Sequence, residues 1–271
     1  MNPIPPSATA VVTGAGSGLG RAITLELASR GVSVLASDVD LATAEETVAL
    51  VRSKGGTAEA ARADVRRDDE VRALVDGAVD RWGRLDVIVN NAGVAVAGAV
   101  GEVPLEDWRF EIDVNLFGVI YGCHYAVPVM KKARRGWILN VASAAGFVSA
   151  PLMGPYNVTK AGVIALSETL RTELETDGIA VSVLCPTFFR TNIHKAQRSA
   201  ERLRQTSAKL VEGAKWSAED VARLAVNGLE RRTLYVIPQT DGKLAWRAKR
   251  MLGGAFYSVA GKIARRQLAT D

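Results

Sequence analysis

A phenol and an ammonium group lie four residues apart in this chain, at Tyr156 and Lys160, and the hydroxyl of Ser143 precedes them. Residues four apart share one face of a helix, so the two side chains can stand side by side. A free phenol has a pKa of ~10 and is a poor base near neutral pH, but a neighbouring positive charge stabilises its anion. The set therefore predicts proton transfer by Tyr156, although the spacing of Tyr156 and Lys160 alone also fits an ordinary surface pair.

A glycine-rich turn at residues 13–20 predicts a nucleotide site. It follows an apolar stretch at 10–12 and leads into a helical pattern at 19–30. In that context, backbone N–H groups and the amino terminus of a helix can approach a pyrophosphate. The alternative is a turn that needs glycine only for positive φ, and the flanking strand and helix favour the nucleotide.

The elements that position these groups follow a regular alternation. Apolar β-rich stretches lie at 10–12, 32–36, 58–63, 85–90, 137–142, 180–185 and 234–237, and helical patterns lie at 19–30, 42–54, 69–82, 104–131, 155–175 and 217–231. Continuously apolar strands separated by helices predict a parallel sheet covered on both faces. We therefore expect an α/β fold, a doubly wound Rossmann-type sheet of about seven strands in a single domain. Ligands of such sheets bind beyond the carboxyl ends of the strands, where these motifs fall.

The composition limits the class of protein further. The chain has 271 residues, of which 48% are hydrophobic, and its two cysteines, Cys123 and Cys185, lie in apolar contexts that favour reduced packing residues over a disulfide. We expect a cytoplasmic protein, because there is no signal sequence and no apolar stretch of membrane-spanning length. The two histidines, His124 and His194, lack clustered metal ligands around them, so we expect no metal site. We place His124 in the core or at a subunit contact.

The positive charge of the chain is concentrated at its end. The formal net charge is +5, and residues 239–271 carry seven basic and two acidic residues, so the remainder is neutral. A neutral body argues against a nucleic-acid substrate.

Taken in order, these residues resemble the short-chain dehydrogenase/reductase family over about residues 8–238. The resemblance rests on Gly14, Gly18 and Gly20, Asp38, Asp64 with Val65, the Asn-Asn-Ala-Gly sequence at 90–93, Asn115, Ser143, Tyr156 with Lys160, and Pro186 with Thr191. It implies an oxidoreductase that transfers a hydride between a nicotinamide cofactor and an alcohol or ketone. It also implies a homodimer or homotetramer. Thr187 departs from the pattern, because the family commonly has glycine after this proline.

The resemblance assigns roles to four catalytic residues. Tyr156 carries the proton, and Lys160 lowers the pKa of its phenol and binds the nicotinamide ribose. Ser143 orients and polarises the substrate oxygen. Asn115 holds a water that links Lys160 to solvent.

The resemblance also implies where the cofactor lies. Asp64 and Val65 hold the adenine, residues 91–93 line the ribose side, and Pro186 and Thr191 flank the nicotinamide. The implied set is Gly14, Ser17, Gly18, Leu19, Gly20, Asp38, Asp64, Val65, Asn91, Ala92, Gly93, Tyr156, Lys160, Pro186 and Thr191.

Asp38 predicts that the cofactor is NAD. An acidic residue about twenty positions past the glycine turn accepts hydrogen bonds from the ribose hydroxyls and repels a 2′-phosphate. The positions where relatives that prefer NADP often carry a basic residue hold Ser17 and Val39. The alternative is that Asp38 only caps the next helix, for which Asp40 is better placed.

Apolar side chains near the catalytic residues predict a hydrophobic secondary alcohol or ketone as substrate, such as an aryl ketone, a steroid or a long acyl chain. By resemblance, residues 187–211 form a lid over this pocket. The candidate substrate contacts are Phe147, Met153, Phe188, Phe189 and His194. A closed lid also needs apolar side chains for its own packing.

The basic, partly amphipathic extension at 239–271 has three possible roles. It packs on a neighbouring subunit, closes the substrate cleft, or lies as a peripheral element on an anionic membrane. An alternative to an enzyme is a nucleotide-sensing or membrane-recruited binding protein that works through this extension. The complete set of Asn115, Ser143, Tyr156 and Lys160 favours the enzyme, because a binding protein needs no proton-transfer groups.

Overall fold

The computed structural model describes residues 3–191 and 198–258. Its centre is a sheet of seven parallel strands in the order β3-β2-β1-β4-β5-β6-β7. The strands are β1 (Thr9–Thr13), β2 (Ser33–Asp38), β3 (Ala58–Arg62), β4 (Val87–Asn90), β5 (Gly136–Val141), β6 (Ile179–Leu184) and β7 (Tyr235–Val236). The order changes direction between β1 and β4, which is where such sheets bind ligands. The predicted doubly wound parallel sheet is confirmed.

Helices cover both faces of the sheet. They are α1 (Gly18–Ser29), α2 (Leu41–Ser53), α3 (Asp68–Trp82), α4 (Leu105–Ile112), α5 (Gly118–Ala133), α6 (Ala145–Val148), α7 (Gly154–Glu173), α8 (Glu201–Glu212), α9 (Ala218–Glu230) and α10 (Thr240–Leu252). A π-helical turn (Asp113–Phe117) joins α4 to α5, and a 3₁₀ turn (Glu175–Asp177) follows α7.

Two hydrophobic cores lie on opposite faces of the sheet. One packs α1, α2 and α9 against it, and the other packs α3, α5 and α7. Within β1, Ala10 and Val12 belong to the first core and Val11 to the second. This alternation follows from the two-residue period of a strand, and burial of both faces explains why the strands are continuously apolar.

The structure differs from the predicted elements at several points. The helix predicted at 104–131 contains the π turn, β7 has only two residues, and the helices α6 and α8 were not predicted. The helix α10 occupies the first part of the extension. Residues 259–271 of the amphipathic extension lie outside the described residues. Within the described part of the chain, no helix is both long and apolar enough to cross a membrane.

Burial tests the expectations for the two cysteines and for His124. Cys123 and Cys185 are both buried and free, which confirms that they are packing residues. His124 lies on the exposed side of α5, which excludes the core and leaves a subunit contact as the prediction. Its ring contacts that of Tyr125 edge-on at 4.9 Å, because both side chains lie outside the buried face of the helix.

Candidate active site

A cleft of about 1360 Å³ opens at the carboxyl ends of the strands. The glycine turn and the residues after β2 and β3 line one end of it, and α8 and α10 contribute to the other. The predicted site residues that line it are Gly14, Ser17, Gly18, Leu19, Gly20, Asp38, Asp64, Val65, Asn91, Ala92, Gly93, Ser143, Met153, Tyr156, Lys160, Pro186, Phe188, Phe189 and Thr191. Parallel strands bring these distant residues to one edge of the sheet.

The glycine turn between β1 and α1 forms a close-fitting backbone surface. Gly14 and Gly18 have φ angles of 63° and 50°, which glycine adopts readily. A side chain at Gly14 would lie 2.8 Å from the Cα of Ala92, and one at Gly20 would overlap the carbonyl oxygen of Gly14. The absence of these side chains leaves the amino terminus of α1 open to the cleft, which is the arrangement that binds a pyrophosphate.

Asn91 fixes the glycine turn to the neighbouring strand. Its side-chain amide donates to the carbonyl oxygens of Thr13 at 2.8 Å and Gly14 at 3.1 Å. In return, the hydroxyl of Thr13 accepts from the backbone N–H groups of Asn91 at 3.0 Å and Ala92 at 3.1 Å. The shape of the turn therefore depends on this side chain.

Asp38 lies at the end of β2 and faces the glycine turn. Its carboxylate accepts hydrogen bonds from the backbone N–H groups of Gly16 at 2.9 Å and Asp40 at 3.2 Å. The cap of α2 is Asp40, whose carboxylate accepts from the backbone N–H of Ala42 at 3.0 Å. Asp38 is thus held in the cleft while its neighbour caps the helix.

Asp64 lines the cleft with its carboxylate paired to Arg66. The Arg66 Nε donates to both carboxylate oxygens at 2.9 Å. This hydrogen bond holds the pKa of Asp64 below its usual value. A hydrogen bond from Asp64 to an adenine, as the resemblance implies, has to share the carboxylate with Arg66. Val65 is buried beside it and lies against Gly118.

The proton-transfer residues meet where β5 and α7 approach each other. Tyr156 lies in the first turn of α7, and Lys160 lies one turn later on the same face. The Lys160 ammonium is buried and donates to the carbonyl oxygen of Val141 at 3.0 Å. Ser143 follows β5, and its hydroxyl accepts from the backbone N–H of Ala145 at 3.2 Å. The two hydroxyl-bearing residues and Lys160 all line the cleft.

Burial acts on the pKa values of both Tyr156 and Lys160. Burial raises the pKa of its phenol to about 12, and a hydrogen bond from Ser143 opposes that shift. Burial also lowers the pKa of Lys160 to about 8. The ammonium of Lys160 donates to the Val141 carbonyl and lies 5.6 Å from the centre of the phenol ring, and the lowering of the phenol pKa by Lys160 stays a prediction. The cost of burying a phenolate is the largest contribution to the pKa of Tyr156.

Asn115 lies in the π turn, a distortion that is frequent at functional sites. Its Oδ1 accepts from the backbone N–H of Val94 at 2.8 Å, and its Nδ2 donates to the Val94 carbonyl at 2.9 Å. A Cβ at Gly93 would lie 3.2 Å from Asn115 Oδ1 and 3.5 Å from Lys160 Nζ. The glycine therefore borders both groups, and the water proposed for Asn115 stays a prediction.

Thr187 connects the loop after β6 to the carboxyl-terminal helix. Its hydroxyl donates to the Asp241 carboxylate at 3.1 Å, and its backbone N–H donates to the side-chain oxygen of Gln239 at 3.0 Å. Pro186 and Thr191 in the same loop line the cleft. Thr187 stands where the family commonly has glycine, and its hydrogen bonds hold the start of α10 beside the site.

The predicted substrate contacts separate into two groups. Met153, Phe188 and Phe189 line the cleft. Phe147 does not, because its place on the short helix α6 turns it into the core, where its side chain is 7% exposed. That prediction was wrong. His194 lies outside the described residues.

Comparison with known proteins assigns the family. The family model described as short chain dehydrogenase matches residues 8–202. The chain belongs to the short-chain dehydrogenase family.

Its similar relatives include a 3-oxoacyl-[acyl-carrier-protein] reductase of Synechocystis sp., 37% identical over 185 residues, which span 68% of this chain and 75% of that protein. A cyclohexanol dehydrogenase of Acinetobacter sp. is 36% identical over 196 residues, which span 72% of this chain and 78% of that protein. A solved structure of a short-chain dehydrogenase from Burkholderia phymatum in complex with NAD has a TM-score of 0.88 and 32% identity, and the match covers 93% of this chain and 95% of that one.

The residues of this dehydrogenase fit a nicotinamide cofactor. A Cβ at Gly14 or Gly20 would fill the space beside the glycine turn, so the glycines leave a cradle for the cofactor. The carboxylate of Asp38 is held next to this turn by the backbone N–H of Gly16. The family fixes the general activity, which is that of an oxidoreductase.

Several residues of the dehydrogenase that line the cleft were missed from the sequence. They include Phe110, Val114, Leu203 and Leu210, and from the extension Ala245, Ala248, Leu252, Phe256 and Tyr257. Ala245, Ala248 and Leu252 recur at helical spacing on one side of α10, and this apolar period was the available signal, whereas Phe256 and Tyr257 follow that helix. Tyr257 is held at the cleft by hydrogen bonds to Lys249 and Ser149, which lower the pKa of its phenol.

Proposed function

We propose that the enzyme transfers a hydride between NAD(H) and an apolar secondary alcohol or its ketone. The observation that carries the proposal is one continuous cleft. Its glycine turn and Asp38 form one end, Tyr156 and Ser143 lie within it, and apolar side chains of α8 and α10 contribute to the other end.

The chain's own residues supply the proton chemistry. When bound, the nicotinamide supplies or takes up the hydride. Tyr156 exchanges a proton with the substrate oxygen, and the Ser143 hydroxyl donates a hydrogen bond to the same oxygen, which polarises a carbonyl. Lys160 provides buried positive charge one turn away. Asn115 links the backbone of Val94 to this set, and a water held there would connect Lys160 to solvent.

The preference for NAD over NADP rests on Asp38. Its carboxylate lines the cleft, where it can accept hydrogen bonds from ribose hydroxyls and repel a 2′-phosphate. Its oxygens also accept from Gly16 and Asp40, so the side chain is fixed before a cofactor arrives. The related structure from Burkholderia phymatum holds NAD, which supports the same choice.

The variant Asp38→Ser tests this preference. We expect the ratio of kcat/KM with NADPH to that with NADH to rise at least about tenfold, or ~1.4 kcal/mol, because the repulsion of the 2′-phosphate is removed. The matched control is Asp40→Ser, which keeps a side chain able to cap α2 and should leave the ratio unchanged. A wild-type enzyme that already prefers NADPH would refute the assignment.

The apolar lining favours a hydrophobic substrate. Leu203 and Leu210 from α8 and Leu252 and Phe256 from the extension line the cleft with Met153. A polyol or sugar would leave its hydroxyls without partners against such side chains, at a cost of roughly 1–3 kcal/mol each. The name of the Acinetobacter relative, a cyclohexanol dehydrogenase, is consistent with a compact apolar alcohol.

The function is tested by following NADH and NADPH absorbance with a panel of substrates. The panel contains cyclohexanol, a hydroxysteroid, a 3-oxoacyl thioester and a sugar alcohol. We expect NAD-linked turnover of the apolar secondary alcohols with kcat/KM at least tenfold above that of the sugar alcohol. Turnover of the thioester alone would shift the assignment to acyl-chain reduction. Tight NAD binding without turnover of any substrate would favour a nucleotide-binding protein.

A further inference from the structure

A buried carboxyl group lies beside the proton-transfer residues and has no part in the proposal above. Glu111 is in the last turn of α4 and is 0% exposed. Its Oε1 accepts hydrogen bonds from the backbone N–H of Val96 at 3.2 Å and from Asn115 Nδ2 at 3.1 Å. Its Oε2 is buried and has no hydrogen-bond partner among the described residues.

The side chain is placed by the helix and the π turn together. Glu111 and Asn115 are four residues apart, so the helical path from α4 into the π turn puts them on one side. Asn115 Nδ2 is shared between Glu111, Val94 and Thr159, so the carboxyl helps to orient the amide. An apolar residue at position 111 would fill this space without an uncompensated oxygen, so the carboxyl is costly unless it has a role.

The titratable groups that interact electrostatically with Glu111 in the described structure lie on α7 and on its own helix, α4. From α7 these are the ammonium of Lys160 and the phenol of Tyr156, and from its own helix the carboxylate of Asp107. Asp107 is itself paired with Arg198 at 2.8 Å. Asp113 on the π turn interacts instead with Arg66.

We propose that Glu111 is a positioning residue of the proton-transfer site, whose ionisation controls the charge balance between Lys160 and Tyr156 while its Oε1 orients Asn115. This inference rests on the proposed function of Tyr156.

The charge of Glu111 determines in which direction it changes the ionisation of Lys160 and Tyr156. Burial raises the pKa of Glu111 to about 8, with Lys160 and the two hydrogen bonds opposing the shift. Below that pH the carboxyl is neutral and leaves Tyr156 unaffected. Above it the carboxylate stabilises the Lys160 ammonium and disfavours the Tyr156 phenolate, since like charges repel.

The test is the pH profile of Glu111→Gln, an isosteric change that keeps an oxygen for Val96 and Asn115. At pH 6 to 7 we expect kcat/KM for alcohol oxidation within about twofold of wild type, since both side chains are neutral. Above pH 8 the rising limb of the variant should lie about one pH unit lower, because the charge that raises the pKa of Tyr156 is gone.

The matched control is Glu106→Gln, the same change on the exposed side of α4. It should leave the profile unchanged. Identical pH profiles for wild type and Glu111→Gln would overturn the proposal. An equal loss of kcat/KM at every pH would also overturn it, because that result shows a purely structural role.

A second measurement needs no turnover. Infrared spectra of the resting protein should contain a protonated carboxyl band that titrates near the pKa of Glu111 and is missing in Glu111→Gln. In Lys160→Met the band should persist to higher pH, because the opposing positive charge is removed. A band that is absent from wild type, or unmoved in Lys160→Met, would refute the inference even if the enzyme turns over. The converse result, a titrating band in a protein without turnover, would contradict the proposed function alone.

Discussion

Tyr156→Phe should lower kcat by about 10³-fold or more and leave the Kd for NADH within about twofold of wild type. The substitution removes only the hydroxyl that exchanges the proton, and the ring remains to fill the space on α7. The phenol hydroxyl is one group of an extended cofactor site, and the other residues of that site, among them Gly14 and Asp38, are untouched. Stopped-flow measurement of hydride transfer and fluorescence titration with NADH separate the two quantities.

The control for this prediction is Tyr125→Phe. The Tyr125 hydroxyl donates to Asp68 at 3.0 Å on an exposed surface and does not line the cleft. Its loss should leave kcat unchanged. If Tyr156→Phe retained more than a tenth of wild-type kcat, another group would have to carry the proton.

Gly20→Ala should weaken NADH binding by on the order of 100-fold, or about 2.7 kcal/mol. A methyl group at this position would overlap the carbonyl oxygen of Gly14 and crowd the side-chain amide of Asn91. Because Asn91 also bonds the carbonyl of Thr13, the turn cannot move aside without losing those hydrogen bonds. The backbone surface for the pyrophosphate is therefore displaced, as measured by calorimetric titration with NADH.

Gly101→Ala is the matched control, because a Cβ at Gly101 would meet no atom within 4 Å. It should bind NADH like wild type. Thermal melting of both variants separates a local change in the turn from general unfolding. Unchanged NADH affinity in a folded Gly20→Ala protein would place the pyrophosphate elsewhere.

The predicted elements agree with the structure where a short periodic pattern determines them. Each predicted apolar strand overlaps one of the observed strands. The helices predicted at 42–54 and 69–82 begin and end within one residue of α2 and α3. The π turn at Asp113–Phe117 was missed, because a single inserted residue per turn hardly changes the apolar period of the flanking helices.

Among the site residues, those fixed by the backbone were predictable. Gly14, Asp38, Asn91, Ser143 and Tyr156 all follow strands or open helices, and parallel strands bring such positions to one edge. Phe147 was misplaced because a one-turn helix directs adjacent side chains in different directions. Its neighbour Val148 lines the cleft instead.

The amino-acid sequence by itself determined the parallel fold, the nucleotide turn and the spacing of Tyr156 and Lys160, since each depends on residues close together in the chain. The tertiary structure decided which distant groups face one another. It turned Lys160 to the Val141 carbonyl, joined Thr187 to Asp241, brought Leu252 and Phe256 over the cleft, and buried Glu111 beside Asn115. The strength of a charge or a hydrogen bond depends on burial and on non-local partners, so the pKa values of Tyr156, Lys160 and Glu111 become definite only once the chain is folded.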